Sequence, residues 1–147
     1  MQLLRTKWLP ISLVAVATVG LFDSVLLTIN HYTHNNLACT ITQGCEQVLT
    51  SKYSTIFNIP ISLFGVLFYF TVLIIAIFAF SNHVPKKILL VITSVGFATT
   101  LVLLYLQAIV IKAWCQYCLI SALSSTTLFL IVLLNQRKEK AKDEQTQ

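Results

Sequence analysis

Residues 88–134 read ILLVITSVGFATTLVLLYLQAIVIKAWCQYCLISALSSTTLFLIVLL, and the single charge in the stretch is Lys112. Each half is long enough to cross a roughly 30 Å hydrocarbon core at 1.5 Å rise per residue. Working outward, two further apolar runs of that length lie upstream. The expected spans are residues 9–29, 59–80, 88–111 and 113–134, and Asp23 is the only acidic or basic side chain inside any of them. The whole chain is 56% hydrophobic and 10% charged, against about a quarter charged in a soluble domain. The reading is an all-α integral membrane protein: a four-helix transmembrane bundle over residues 1–134, followed by a charged tail, 135–147.

The formal net charge of +5 does not point to nucleic acid, because the basic residues flank the apolar runs instead of forming a patch interleaved with aromatics. Arg5, Lys7, Lys86, Lys87, Arg137, Lys138, Lys140 and Lys142 fall on one side of the predicted topology, and only Lys52 and Lys112 on the other. That asymmetry predicts cytoplasmic termini. It puts the long 30–58 loop and the 111–113 junction on the extracytoplasmic face. The first run could also be a signal peptide with Ala15-Val16-Ala17 at a cleavage site, but its apolar character continues to Ile29.

Between the spans, Pro60 opens the second helix where a missing N–H costs little, with Asn58 as a possible N-cap. Val48, Leu49, Tyr53, Ile56 and Phe57 make residues 46–57 mildly amphipathic, which predicts a short interfacial helix in the extracytoplasmic loop. The tail composition predicts disorder.

The chain has four cysteines, Cys39, Cys45, Cys115 and Cys118, all on the predicted outer face. Three pairings are open. Cys115-Gln116-Tyr117-Cys118 starts the fourth span, where free N–H groups and the helix dipole favour thiolate; Lys112 adds a cation nearby. Cys39 and Cys45, with Gly44 between them, can form a small exchangeable disulfide. Two dithiols on one face suggest a relay through mixed disulfides. Two other readings compete: a non-enzymatic scaffold stapled by disulfides, and zinc held by the cysteines.

The order of these features resembles the vitamin K epoxide reductase family in its short bacterial form. The resemblance runs from about Gly20 to Ala122 and rests on Cys39 and Cys45, Ser51, Pro60, Gly65 with Tyr69, and Trp114-Cys115-Gln116-Tyr117-Cys118-Leu119. The disulfide bond formation membrane proteins place their C-x-x-C in the first outer loop instead. The resemblance implies a membrane thiol–disulfide oxidoreductase of the bacterial inner membrane that supports disulfide bond formation in extracytoplasmic proteins. Its electrons would come from a separate thioredoxin-like periplasmic partner and pass to a quinone, ubiquinone or menaquinone. Residue by residue, it implies Cys118 next to the quinone, Cys115 as its exchanging partner, Cys45 as the loop cysteine meeting Cys115, and Cys39 exposed to the partner protein. Ser51 matches a serine capping the quinone pocket, and Phe64, Phe68, Leu103 and Gln107 match pocket positions by spacing. No metal is implied. Ile61 and Ala122 depart from the asparagine and tyrosine of the vertebrate branch, which argues against epoxide reduction more than against quinone reduction.

Asp23 reads mainly as an acid near the interface, bonded to Ser24, Asn30 or water; a role in quinone proton chemistry is the alternative. Trp8, Trp114 and Tyr117 fit an interfacial belt, and His31 and His34 read as solvated loop residues.

Overall fold

The computed structural model describes residues 2–33, 44–79 and 86–144. In chain order these form α1 (Gln2–Thr33), α2 (Cys45–Leu49), a two-strand hairpin of β1 (Thr55–Ile56) and β2 (Ile59–Pro60), α3 (Ile61–Ala79), α4 (Lys86–Tyr105) with a π-helical turn at Leu106–Ile111, and α5 (Gln116–Glu144). Four helical stretches are long and apolar enough to cross a membrane: Trp8–Thr33, Ile61–Phe78, Lys87–Ile111 and Gln116–Lys138. The all-α four-helix membrane bundle expected from the apolar runs is therefore the observed architecture.

Helices are the form that satisfies every backbone N–H and C=O within its own segment, as lipid requires. Hydroxyls inside the runs follow the same rule by bonding back one turn. Thr71 Oγ1 donates to the Leu67 carbonyl at 2.7 Å, Thr93 Oγ1 to Leu89 at 2.9 Å and Thr127 Oγ1 to Leu123 at 2.7 Å. Meanwhile large apolar side chains such as Phe22, Leu67, Val91 and Leu123 stand exposed around the bundle. In water, that much outward apolar surface would mark an interaction site; around a membrane bundle it is the lipid-facing coat.

α1 packs along α3 and α5, and α5 along α4. The core is Leu13, Ala17, Tyr69, Val72, Ala76, Leu89, Leu128 and Val132. Without a hydrophobic driving force between helices in lipid, close approach through small residues holds such a bundle together. Gly20 is one such contact: a Cβ there would run into the Tyr69 ring. Gly96 stands in the same relation to the Phe68 ring.

Several expected boundaries are corrected. α1 continues to Thr33, so the loop begins later than residue 30. The interfacial helix stops at Leu49 instead of reaching Phe57. Serines terminate it: Ser51 Oγ donates to the Val48 carbonyl at 2.8 Å, and Ser54 N–H and Oγ both donate to the Ser51 carbonyl at 3.0 and 2.8 Å. Such local bonds give the backbone an alternative to the helix. The chain then turns through Phe57 and Asn58, both at positive φ (52° and 64°), and pairs Ile56 with Ile59. Two consecutive left-handed residues make the tight turn that matches strand twist. Asn58 is thus a hairpin residue, not an N-cap, and α3 starts after Pro60. The charged tail is also not disordered through its length, because α5 runs on to Glu144.

Gly20→Ala should force the buried Tyr69 ring out of place, although the ring is tied by its hydroxyl to Ser121. Overpacking of this kind costs about 1–3 kcal/mol. A lowered thermal midpoint of the detergent-solubilised protein checks it, and an unchanged midpoint would contradict the packing described.

Candidate active site

The junction from α4 to α5 is built around Gln107, which is 3% exposed. Its backbone carbonyl accepts the N–H of Lys112 and, at 3.2 Å, that of Ala113. Its side-chain Oε1 accepts the N–H of Cys115 at 3.3 Å. The π-helical turn widens the backbone by one residue per turn, and Lys112, left-handed at φ 53°, closes it. One buried amide side chain and its own carbonyl thus serve three amides that the helix break would otherwise orphan.

Cys115 emerges from this turn as the residue immediately before α5. Its carbonyl accepts the Leu119 N–H at 3.0 Å, the first bond of the helix, so Cys115 holds the N-cap position and not the first turn itself. Its sulfur meets the Cys118 thiol and the backbone N–H groups of Cys118 and Tyr117. The hydrogen bond from the Cys118 side chain, reinforced by those amides, outweighs burial and brings the Cys115 thiol down from 9.0 to about 7. Lys112, expected to contribute a cation, is exposed and supplies instead the left-handed backbone position.

The loop side of the site meets Cys115 directly. Cys45, Val48, Ala113 and Cys115 form one buried cluster, with Ile111, Tyr117 and Cys118 packed against it. Gly44 makes this contact possible. A Cβ at that position would lie 2.8 Å from the Trp114 nitrogen and 2.9 Å from its carbonyl oxygen, and backbone atoms cannot swing aside. Cys45 is disulfide-bonded, whereas Cys115 and Cys118 are free thiols. Cys39 lies outside the described residues.

On the other side, a cavity of about 390 Å³ opens inside the bundle. Its wall includes Cys118 but not Cys115. Ser51, Phe64, Phe68, Leu103 and Gln107 all line it, as do Ile61 and Ala122. The structure therefore brings together Cys45, Cys115, Cys118 and these five side chains. Ser51 comes from the turn after α2, Phe64 and Phe68 from α3, and Leu103 from α4.

Among the polar lining residues not singled out as pocket residues are Tyr69, Ser121 and Ser125. The Tyr69 hydroxyl donates to the Ser121 carbonyl at 2.7 Å and lies 3.1 Å from Ser121 Oγ. Ser121 and Ser125 are one helical turn apart and one and two turns after the C-x-x-C, a spacing that could have nominated them. Asp23 also departs from expectation. It is 4% exposed, and its Oδ2 has no hydrogen-bond partner among the described residues, so that oxygen does not make the expected bond to Ser24 or Asn30. His31, expected to be a solvated loop residue, is in the last turn of α1 and at the cavity wall.

A protein-family model described as the Vitamin K epoxide reductase family matches residues 11–133. The match takes in the second and third spans, most of the first and fourth, and all four cysteines, and the chain belongs to that family. It is a multi-pass membrane protein and a thiol oxidoreductase of a quinone-linked redox family.

Because the thiolate is the reacting form, a Cys115 value of about 7 sets the direction of its pH response. Thiolate absorbance in the reduced protein should rise through about pH 7 and fall away below it. Cys118→Ala removes the leading hydrogen bond and should move the midpoint upward, while Lys112→Gly should leave it in place. Gly44→Ala should push the loop off Trp114 and slow thiol exchange between Cys45 and Cys115 at least several-fold, as measured by quenched alkylation.

Proposed function

We propose that the chain is a quinone-dependent thiol–disulfide oxidoreductase that oxidises a separate thioredoxin-like protein on the extracytoplasmic side of the bacterial inner membrane. The observation that carries this reading is the position of the C-x-x-C between two environments. Cys115 is buried against the loop cysteine Cys45, and Cys118 opens on the intramembrane cavity. A pair so placed can exchange with one disulfide on one side and discharge electrons on the other.

The cavity suits a quinone ring. Its volume of about 390 Å³ falls in the range of small-molecule sites, which are mostly apolar with few polar groups. Phe64, Phe68 and Leu103 would flank the ring, Ser51 would close the pocket from the loop, and Gln107 would stand near the thiol. The bound quinone would supply a two-electron, two-proton acceptor. The remaining chemistry belongs to the cysteines. A dithiol on the partner attacks the loop disulfide, proposed as Cys39–Cys45, with Cys39 the exposed member. The freed Cys45 thiolate then attacks Cys115 of a Cys115–Cys118 disulfide, releasing Cys118, and Cys39 attacks Cys45 to break the mixed Cys45–Cys115 bond and restore the loop disulfide. The resulting Cys115–Cys118 dithiol returns to the disulfide when its electrons leave through Cys118.

The eight-to-two split of basic residues supports cytoplasmic termini and an outward-facing cysteine loop. Ile61 and Ala122 both stand at the cavity wall and offer no side-chain hydrogen bond to a quinone oxygen. Reduction of a plain quinone is therefore proposed, not of an epoxide.

Purified protein given a reduced thioredoxin-like partner should bleach ubiquinone or menaquinone absorbance. Cys118→Ala should bring the rate to background, and turnover unaffected by that substitution would refute the assignment. For orientation, a cysteine introduced at Lys52 in a chain whose own cysteines are replaced by serine should react with an impermeant maleimide in intact cells. One introduced at Lys87 should react only after permeabilisation.

A further inference from the structure

Asp23 and Ser125 are the two residues, among those described, whose buried side-chain oxygens have no hydrogen-bond partner. Each is only 4% exposed. An unpaired buried polar group is costly, more so when charged, so two in one apolar bundle call for a reason. They flank the same side chain. The Tyr69 hydroxyl is bonded to Ser121, and Gly20, about one turn before Asp23 on α1, packs against the Tyr69 ring. Ser125, Tyr69 and Ser121 all line the cavity that Cys118 opens on.

We propose that Asp23 is the proton reservoir of the cavity, holding a proton beside the polar flank formed by Ser125 and the hydrogen-bonded Tyr69–Ser121 pair and releasing it to the acceptor side through water that enters between Asp23, Ser125 and Tyr69. This rests on the quinone-reduction reading above. The proton count explains why such a group is needed. With Cys115 as thiolate, the reduced pair carries one proton, on Cys118, while a two-electron reduction of a quinone to quinol consumes two. When the Cys115–Cys118 bond forms, the pair gives up two electrons and the Cys118 S–H proton. The second proton leaves the Asp23 carboxyl, whose O–H breaks, and Asp23 remains as carboxylate until it is reprotonated from water. Charge balances: one thiolate is lost and one carboxylate appears.

The titratable groups facing Asp23 are Tyr69 from α3, Cys118 from α5 and Cys115 from the junction, with His31 further along α1 itself. Asp23 does not touch the cavity and is a positioning residue that works through Ser125 and Tyr69.

The test uses the full-length protein in detergent with ubiquinone and a reduced thioredoxin-like partner. Asp23→Asn should lower kcat by about 10²-fold, the size of a general-acid contribution. KM for ubiquinone should stay unchanged, the solvent deuterium isotope effect should alter, and Asp23→Glu should recover part of the rate. Ser125→Ala should lower kcat less and in the same manner. Independently of turnover, the infrared spectrum of the reduced wild type should contain a protonated-carboxyl band that Asp23→Asn removes and that disappears on oxidation by ubiquinone. Wild-type turnover with an unaltered kcat and isotope effect in Asp23→Asn would overturn the reservoir alone, and so would a carboxyl band unaffected by oxidation. Absence of wild-type turnover would overturn the quinone-reduction reading and the reservoir with it. Should Asp23→Asn not fold, Ser125→Ala and the wild-type infrared difference decide.

Discussion

The junction between α4 and α5 must end one membrane-length helix and begin another within residues 112–115, where the burial of Ala113 and Cys115 leaves an unpaired amide little water to turn to. Gln107 meets that constraint by accepting three amides, two on its carbonyl and one on its side chain. The site follows from this arrangement. The Cys115 N–H bond fixes the residue at the start of α5, and that position aims the free N–H groups of the first turn at its sulfur. The same turn sets Ala113 and Trp114 where the loop lands through Gly44. A shorter polar residue at 107 would leave the Cys115 amide without its acceptor, and a plain α-helical ending would rotate the cysteine away from the loop.

Steric economy elsewhere serves the same end. Tyr69 and Phe68 can lie inside the bundle because Gly20 and Gly96 have no side chain to oppose them. Their rings fill space between helices, and Phe68 also forms part of the cavity wall. The cavity is therefore bounded by the same contacts that bring the helices together. Its polar lining includes Tyr69, Ser121 and Ser125 together with Gln107 and Cys118.

How far this could be read beforehand depended on the kind of information involved. The four spans follow from hydropathy alone, since lipid imposes one strong rule on long apolar runs. The C-x-x-C and its place at a helix start were also readable. Boundaries set by specific hydrogen bonds were not. An apolar spacing compatible with a helix continues to Phe57, but Ser51 and Ser54 divert the backbone first, and Phe57–Asn58 show no glycine to announce a turn. Tail composition predicted disorder because charge density was weighed without the helix already propagating from α5. Within the site, the cavity positions Ser51, Phe64, Phe68, Leu103 and Gln107 came from resemblance to a family and not from periodicity. The burial of Asp23 was not legible for a definite reason: position along a span gives depth but not which way a side chain faces, and here the carboxyl is buried.

The length of α5 has a mechanical consequence. From Cys118 to Arg137 the helix rises roughly 28 Å at 1.5 Å per residue, close to the roughly 30 Å of a bilayer core. Arg137 and Lys138 resist being drawn into hydrocarbon, so α5 works as a caliper. With its charged end held at one boundary of the membrane, the helix would set how deep the thiol at the other end can sit. Deleting or inserting a turn anywhere between them would leave the local geometry of the thiol intact while shifting it relative to lipid-dissolved molecules. Depth in the bilayer, like contact geometry, is in this way specified by the chain.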